Sequence, residues 1–468
     1  MAGRLDRRDV LKALGGAAAS LAAPRTLRSA DSPAPNPSGG PDTKPNIVLI
    51  MADDLGYGDV GCYGGKAAAA PTLDALARGG IRFTDFHSNG AVCSPTRAAL
   101  LTGRYQQRCG IEGVITAKGH RHTGMALEET TFAEVLKAAG YATAVFGKWH
   151  LGYQVQFNPT KQGFDEFRGY VSGNVDYHSH IDQAGYDDWW ADCRKVPEAG
   201  YTTDLITTHG VRFIERHKDR PFCLYLPHES PHSPFQGRKD KPQRLPGKGR
   251  TPAAGRKGRA AAYREMIEVM DEGIGKIVQT VKRLGLERRT LIVFCSDNGP
   301  AGPGSAGPLR GGKATLWEGG HRVPGIAYWP GTIVPGSVTH ETAMTMDLFA
   351  TMAAAARTPL PKGLKLDGVN LLPVLTGEGK LPARTLFWRH GRQKAVRKGR
   401  WKLLVDRGRR GPRAKGRDVA PSVGLFDLAE DLGEKTNLAA QKPQLVEALQ
   451  AELAAWEKEV SAGVTRRS

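Results

Sequence analysis

The stretch Asn46 to Met51 (NIVLIM) runs without a polar break after its first residue, and Asp53-Asp54 stand just beyond it. A short, continuous apolar run is the mark of a strand covered on both faces, as in the middle of a parallel sheet. The same grammar then repeats. Helices are expected from Pro71 to Arg78, Ser94 to Thr102 and Thr130 to Ala139, and strands from Ile81 to Phe86 and Tyr141 to Phe146. A helix from Thr202 to His217 leads to a strand from Pro221 to Leu226. Between Ala260 and Leu284, the residues Tyr263, Ile267, Met270, Ile274, Ile277, Val281 and Leu284 recur at spacings of three and four, one stripe of a helix. A strand from Thr290 to Cys295 follows and ends in Ser296-Asp297-Asn298-Gly299. Helix alternating with apolar strand predicts an α/β fold with a doubly wound, mostly parallel sheet, whose ligands bind beyond the strands' carboxyl ends. Both acidic pairs fall there.

The flanks read differently. Arg7-Arg8 ahead of Asp9-Val10-Leu11-Lys12 and an Ala-rich stretch from Ala13 to Ala23 have the order of a twin-arginine export signal over residues 1–30. The alternative is a basic N-terminal helix. Residues 31–44, rich in Pro, Gly, Ser and Asp, have a linker's composition. The main domain is expected over 45–380. From about Leu381, short alternating strands (Thr385 to Trp388, Lys394 to Arg397, Trp401 to Val405, Gly424 to Asp427) and an amphipathic helix near Pro443 to Val460 predict a smaller C-terminal α+β subdomain over 381–468. Arg238 to Arg259, basic, Pro/Gly-rich and aperiodic, is expected to be a mobile surface loop. No segment after the signal has the about 20 apolar residues of a spanning helix. The expected protein is exported, periplasmic or extracellular, with no transmembrane anchor.

Lys and Arg number 66 against 47 Asp and Glu, a formal net charge of +19. Such a balance suits nucleic acid, an anionic membrane surface or a polyanionic substrate. No RNA- or DNA-binding motif and no basic-aromatic interleaving is present, so no nucleic-acid partner is expected. The six cysteines, Cys62, Cys93, Cys109, Cys193, Cys223 and Cys295, are widely spread and form no CxxC pair. Cys223 and Cys295 lie in apolar runs and read as buried, inert thiols.

Asp53-Asp54 and Asp297-Asn298 offer oxygen ligands only, a donor set for calcium or magnesium rather than zinc. Either pair alone would also serve as a cap or turn. Cys93-Ser94-Pro95 reads as a helix start, with amide donors and the dipole's positive end beside Cys93. An anion would be stabilised there. The same field is expected to lower the thiol's pKa, which leaves a bare-thiolate nucleophile open. Arg97 lies one turn on, on the same face.

The segment CSPTR from Cys93 to Arg97, followed by AALLTGR, closely resembles the C-x-P-x-R signature of type I, formylglycine-dependent sulfatases, arylsulfatase-like members of the alkaline phosphatase superfamily. Further agreement comes from DDLGYGDVGCYG (Asp53 to Gly64), GKWHLG (Gly147 to Gly152), PHSP (Pro231 to Pro234), SDNG (Ser296 to Gly299) and GGK (Gly311 to Lys313). With VRKGRWKLL and LFDLAEDLGEKTNL near the end, the resemblance runs from Pro45 to about Val460. It implies an alkaline-phosphatase-like sheet and hydrolysis of sulfate monoesters on a sulfated carbohydrate or an aryl sulfate. It also implies that a maturation enzyme oxidises Cys93 to formylglycine before export through the twin-arginine machinery. Asp53, Asp54, Asp297, Asn298 and the modified Cys93 would bind one calcium, and Arg97 and Lys148 would hold the hydrated aldehyde's geminal diol. His150 would be the base that releases sulfate, while His232 and Lys313 would contact the ester and protonate the leaving alcohol.

The assignment is also chemically coherent without the family. A sulfate monoester is an anion, and Arg97, Lys148, Lys313, a metal and two histidines would stabilise charge building on its bridging oxygen. His228, in LPHESPHSP, is either a substrate contact or a strand-end residue. GNVDYHSH (Gly173 to His180) resembles a substrate loop of some members, so His178 or His180 is expected to line the pocket. Trp189 and Trp190 would stack on a sugar or simply pack. The basic tracts Arg238 to Arg259 and Arg392 to Arg417 would steer a sulfated polysaccharide. Two rivals remain. One is a phosphate or phosphonate ester hydrolase of the same superfamily, which would use Ser or Thr and usually two metals. The other is a non-catalytic polyanion-binding protein.

Overall fold

The computed structural model describes residues 44–249, 256–406, 422–462 and 464. The expected export signal, and all of the expected linker but Lys44, lie outside the described residues. Strands are β1 (Asn46–Ala52), β2 (Ile81–Phe83), β3 (Phe86–His87), β4 (Ala142–Lys148), β5 (Glu166–Tyr170), β6 (Trp190–Ala191), β7 (Arg194–Lys195), β8 (Phe222–Pro227), β9 (Thr290–Ser296), β10 (Gly325–Tyr328), β11 (Ser337–Thr339), β12 (Ala343–Met344), β13 (Thr385–His390), β14 (Gln393–Lys398), β15 (Trp401–Asp406) and β16 (Val423–Asp427). Helices are α1 (Pro71–Gly79), α2 (Cys93–Thr102), α3 (Phe132–Ala138), α4 (Thr202–Arg216), α5 (Arg256–Arg283), α6 (Glu318–His321), α7 (Asp347–Ala355), α8 (Leu372–Leu375) and α9 (Pro443–Ala462).

Ten strands form one sheet in the order β11-β2-β10-β9-β1-β8-β4-β5-β6-β7. Its centre, β9-β1-β8-β4-β5, is parallel, and the antiparallel β10 flanks it beside β9. All seven residues of β1 are buried. Its alternate side chains enter two different cores: Ile47, Leu49 and Met51 on one face, Val48, Ile50 and Ala52 on the other. This is why the sequence shows an unbroken run and not a period of two, each large side chain adding about 1.5–3 kcal/mol of burial. The α5 stripe behaves as its spacing predicts, with Tyr263, Ile267, Met270, Ile274, Ile277 and Val281 all buried in the second core.

Two expectations are corrected. The strand expected over Ile81 to Phe86 is two strands, because Asp85 turns inward and β3 leaves the main sheet to pair with β12. The segment Arg238 to Arg259 is not a free loop in its described part. Arg238 bridges Asp204 and Glu272, both at 2.7 Å. Arg244 is buried and donates to the carbonyls of Asn174 and Ile181, and Arg256 opens α5. Of the Arg392 to Arg417 tract, residues up to 406 belong to β14, β15 and their turns, and the remainder lies outside the described residues.

The C-terminal subdomain is an antiparallel sheet, β13-β14-β15-β16, with α9 packed on it through Leu449, Leu453, Trp456 and Val460. It joins the main sheet through buried charge. Asp85 receives Arg397 at 3.0 and 2.8 Å, Arg322 at 3.2 Å and the His87 ring at 2.9 Å. Lys402, fully buried, reaches Glu318 and Glu434 at 2.9 and 2.8 Å. Among the described residues no helix is long and apolar enough to cross a membrane.

Burial alone would raise the Asp85 carboxyl, but Arg322 and Arg397 outweigh it and hold it well below the usual range. A depressed carboxyl contributes stability above its unfolded pKa of about 3.9 and loses it as pH falls through the folded value. Asp85→Asn, which leaves two buried guanidinium groups to share the single carboxylate of Glu318, is therefore expected to cost about 3–5 kcal/mol at neutral pH. Thermal unfolding should show the gap from the unsubstituted protein narrowing below about pH 4. A gap that does not change with pH would refute the ionised-Asp85 account.

Candidate active site

The parallel strands deliver their ends to one place. Ala52 of β1 pairs with Ser296 of β9, so Asp53-Asp54 and Asp297-Asn298 leave the sheet side by side. On the other side of β1, Met51 pairs with Pro227 of β8, which leads to His228 and His232. β4 follows and ends at Lys148. Gly147 has φ of 127°, and a Cβ there would lie 2.1 Å from the Pro227 carbonyl, so only glycine lets Lys148 approach this closely. Asp54 and His150, each just past a strand, take left-handed backbone with φ of 63° and 61°. For non-glycine residues that costs about 1–3 kcal/mol and persists where surroundings enforce it.

Helix α2 supplies the remaining pieces, with all ten residues buried. Cys93 opens it, and Arg97, one turn on, donates to Asp297 at 3.2 and 2.7 Å and to the Lys148 carbonyl at 3.2 Å. Lys148 Nζ meets Asp53 at 2.5 Å, and Lys313 Nζ meets Asp54 at 2.6 Å. Three carboxylates thus face three cations, all beneath one small cavity. For Asp53, burial raises the carboxyl but Lys148, His232 and Arg97 win, so it is held below its usual value. For Asp54, Lys313 and His232 likewise overcome burial.

Cys93 Sγ sits 3.4 Å from Asp53 and 3.5 Å from Lys313 Nζ. The expectation of a lowered thiol pKa is corrected here. Burial, then Asp297 and Asp53, push the thiol far up, and the nearby lysines do not compensate. The field of one helix end loses to desolvation and two adjacent carboxylates, and a bare-thiolate nucleophile finds no support. Cys223 and Cys295 are buried thiols pushed up by burial, as inert residues should be.

The cavity, about 60 Å³, is walled by Cys93, His150, His232 and Lys313, by Gly173 and Asn174 at the start of the GNVDYHSH segment, and by residues the sequence did not single out: Val114 to Ala117, Tyr153 and Gln183. His150 Nε2 faces the Ile115 carbonyl at 3.0 Å, which can only accept. The proton is therefore on Nε2, and Nδ1, buried without a partner, keeps a free lone pair. Burial, Lys148 and Arg97 hold the ring well below an ordinary imidazole, so it is neutral. His232 donates Nδ1–H to the Ser233 carbonyl at 2.6 Å and turns Nε2 to Asp54 at 3.6 Å.

Asp53, Asp54, Cys93 and His232 bring ligand-type atoms within 4.8 Å of one another. Asp297 Oδ1 accepts the Asp54 amide at 3.2 Å, and Asn298 Nδ2 donates to Asp54 at 2.7 Å. Asn298 Oδ1 is buried and no group donates to it. An orphaned amide oxygen among ionised carboxylates fits a hard cation. A second ligand-type group, His87, Glu318 and His321, already holds a cation in Lys402, 2.9 Å from Glu318 and 3.2 Å from His321.

The weaker candidates lie elsewhere. His228 is buried, with its ring pushed down to about 4 by burial, and does not border the Cys93 cavity. His178 donates to the Gly237 carbonyl, and His180 stacks on Trp189 at 4.4 Å. Both face a separate cavity of about 570 Å³. Trp189 and Trp190 are buried, their indole N–H groups bound to Glu198 and Asp188; Trp190 packs in the core, while Trp189 lines the same cavity as His178 and His180.

A family model described as Sulfatase matches residues 45–358. The chain is 37% identical to human arylsulfatase A, over 90% of this chain and 89% of that protein. It is 36% identical to human N-acetylgalactosamine-6-sulfatase over 76% and 70%. Among solved structures, Ps i-CgsB in complex with k-i-k-neocarrahexaose superposes with a TM-score of 0.78 at 29% identity, covering 91% of this chain and 94% of that one. A large parallel-centred sheet with a C-terminal antiparallel sheet is common ground with these neighbours, and the chain belongs to the sulfatase family, enzymes that hydrolyse sulfate esters.

Proposed function

We propose that the chain is an exported, formylglycine-dependent, calcium-binding sulfatase of sulfated carbohydrates that also accepts aryl sulfates. The observation that carries this reading is that Cys93, His150, His232 and Lys313 wall one cavity above the ionised carboxylates. The names arylsulfatase A and N-acetylgalactosamine-6-sulfatase, and the k-i-k-neocarrahexaose bound by Ps i-CgsB, support carbohydrate esters alongside aryl sulfates. The catalytic domain would span 45–380, supported by the 381–468 subdomain, with residues 1–30 as a twin-arginine signal that leads to the periplasm or beyond.

Oxidation of Cys93 to formylglycine would supply an oxygen nucleophile where the thiol supplies none. Asp53, Asp54, Asp297, Asn298 and the modified Cys93 would hold calcium, which supplies Lewis-acid polarisation of a sulfate oxygen. The protein's own groups do the rest. Arg97 and Lys148 fix the nucleophile's surroundings and balance charge. His150 Nδ1, neutral and unpartnered, takes the proton when sulfate is released. Lys313 Nζ, which carries protons, lies at the wall where the leaving oxygen gains one, and His232 Nε2 beside it would donate only from the imidazolium form, because the neutral ring keeps its proton on Nδ1. The alkyl or aryl group must leave past Val114 to Ala117 and Asn174.

The first test is mass spectrometry of the Cys93 peptide from protein matured in its own host, together with hydrolysis of nitrophenyl sulfate. Aldehyde at Cys93 with activity supports the reading, whereas activity with only unmodified thiol sinks the formylglycine step. Cys93→Ala should lower kcat by at least about a thousandfold. Chelation with EGTA is expected to lower both activity and melting temperature, with calcium restoring both; indifference to EGTA would remove the metal from the proposal. Because burial, Lys148 and Arg97 keep His150 neutral, the acid limb of kcat/KM should lie below pH 6.5. A limb at or above that value would exclude His150 as the base in this setting.

A further inference from the structure

The loop that walls the Cys93 cavity at Val114 to Ala117 runs on as Lys118-Gly119-His120-Arg121-His122, and the reaction uses none of these cations. Among them Arg121 is held in a way the others are not. Its Nη1 donates to Asp182 at 2.9 Å and to the Ala117 carbonyl at 3.3 Å. Its guanidinium lies between two rings, 4.8 Å from the Tyr153 centroid and 4.4 Å from that of Tyr186. Ala117 and Tyr153 themselves border the cavity, and Gln183, next to Asp182, borders it too. Arg121 is therefore fixed at the rim by the same residues that shape the pocket.

The rest of the guanidinium is unused. Among the described residues nothing accepts from Nε or Nη2, while the side chain remains 32% exposed. Asp182 needs no more from it, because its carboxylate also accepts the amides of Ala184 at 2.8 Å and Tyr186 at 3.0 Å. The Nε/Nη2 edge offers two parallel donors, the pattern that grips two oxygens of one carboxylate or sulfate. The ion pair and the two rings have already removed its rotamer freedom, so binding an oxyanion costs little further ordering. Tyr186, 55% exposed, adds an open aromatic surface beside it.

We propose that Arg121, clamped between Tyr153 and Tyr186, is a specificity-determining residue that binds a second anionic group of the substrate, a sulfate or carboxylate on the carbohydrate beyond the scissile ester. The inference rests on the sulfatase reading and narrows its substrates to multiply charged saccharides. The test compares the unsubstituted protein with Arg121→Gln and Arg121→Lys on three compounds: nitrophenyl sulfate, a monosulfated disaccharide, and the same disaccharide with a second sulfate or a uronate. For Arg121→Gln the expected result is a fall of about tenfold in the kcat/KM ratio of the doubly charged to the singly charged disaccharide, carried by KM. Arg121→Lys should fall between, since an ammonium keeps the charge without the paired donors. A ratio that stays constant, whether all three compounds suffer together or none does, overturns the proposal and leaves Arg121 a strut. If the unsubstituted protein cleaves none of the three, the sulfatase reading has failed. The subsite is then judged by calorimetric binding of the doubly charged disaccharide, where equal affinity in Arg121→Gln overturns it and weakening of about tenfold upholds it.

Discussion

The centre of this structure is a charge balance that neither side could sustain alone. Asp53, Asp54 and Asp297 are buried, and so are Arg97 and Lys148, with Lys313 closing the set from the cavity side. An isolated buried charge of either sign would be neutralised or expelled, at a cost of several kcal/mol per ion. Each is retained because its partners are placed within about 2.5–3.2 Å by two strand ends, a third strand, a fully buried helix and, for Asp54, the loop that carries Lys313. The balance in turn defines the chemistry. A floor of three negative and three positive groups is neutral as it stands, so a divalent cation would turn it positive, the sign that attracts a sulfate ester.

Strand order is what makes the arrangement possible. Asp53 and Asp297 are 244 positions apart in the chain, yet Ala52 and Ser296 are register partners in adjacent parallel strands. β8 and β4 then place the His232 loop and Lys148 on the other flank of β1. Lys148 ends β4, the carboxylates follow β1 and β9 directly, and Cys93 and Arg97 sit on the buried α2, while further walls of the cavity come from loops, Val114 to Ala117 and Gly173 to Gln183. Chemistry and selectivity are thereby divided between rigid and variable parts of the fold.

What the sequence disclosed follows from the same division. β1, β8, β9 and the α5 stripe were legible because burial on both faces, or on one helical face, leaves a pattern in the residues themselves. α7 (DLFATMAAA), β5 and β10 left no such pattern: α7 is buried on nearly every side, so it has no period, and the two strands are short, β5 interrupted by Arg168 and β10 only four residues long. Ile81 to Phe86 misled because Asp85 looks like an ordinary polar break, and its partner Arg397 lies 312 residues away. The catalytic motifs were legible as motifs. The thiol's environment was not, since a helix start is visible in CSP but the burial that overrides it, with the Asp297 and Asp53 carboxylates that follow two other elements, is not. Tyr153 and Arg121 were passed over because single polar residues in aperiodic loops carry no signal until the fold brings them to one rim; in the Gly173 to His180 segment the histidines drew attention, while Gly173 and Asn174 are the residues that border the cavity.

The burial of α2 also bears on when Cys93 can be changed. Every residue from Cys93 to Arg97 is enclosed. Ser94 Oγ accepts the Ile115 amide, Thr96 is bound to Gly90, and Arg97 is engaged with Asp297 and the β4 carbonyl. A maturation enzyme that reads this pentapeptide would have to dismantle the charge balance to reach it in the finished protein. It can read it freely in a chain that has not yet folded. The thiol's strongly raised pKa points the same way, because folding buries Cys93 in its least reactive form beside two carboxylates. On the proposed formylglycine reading, oxidation of Cys93 would compete with closure of the central sheet, because the fold that assembles the charged floor also encloses the thiol.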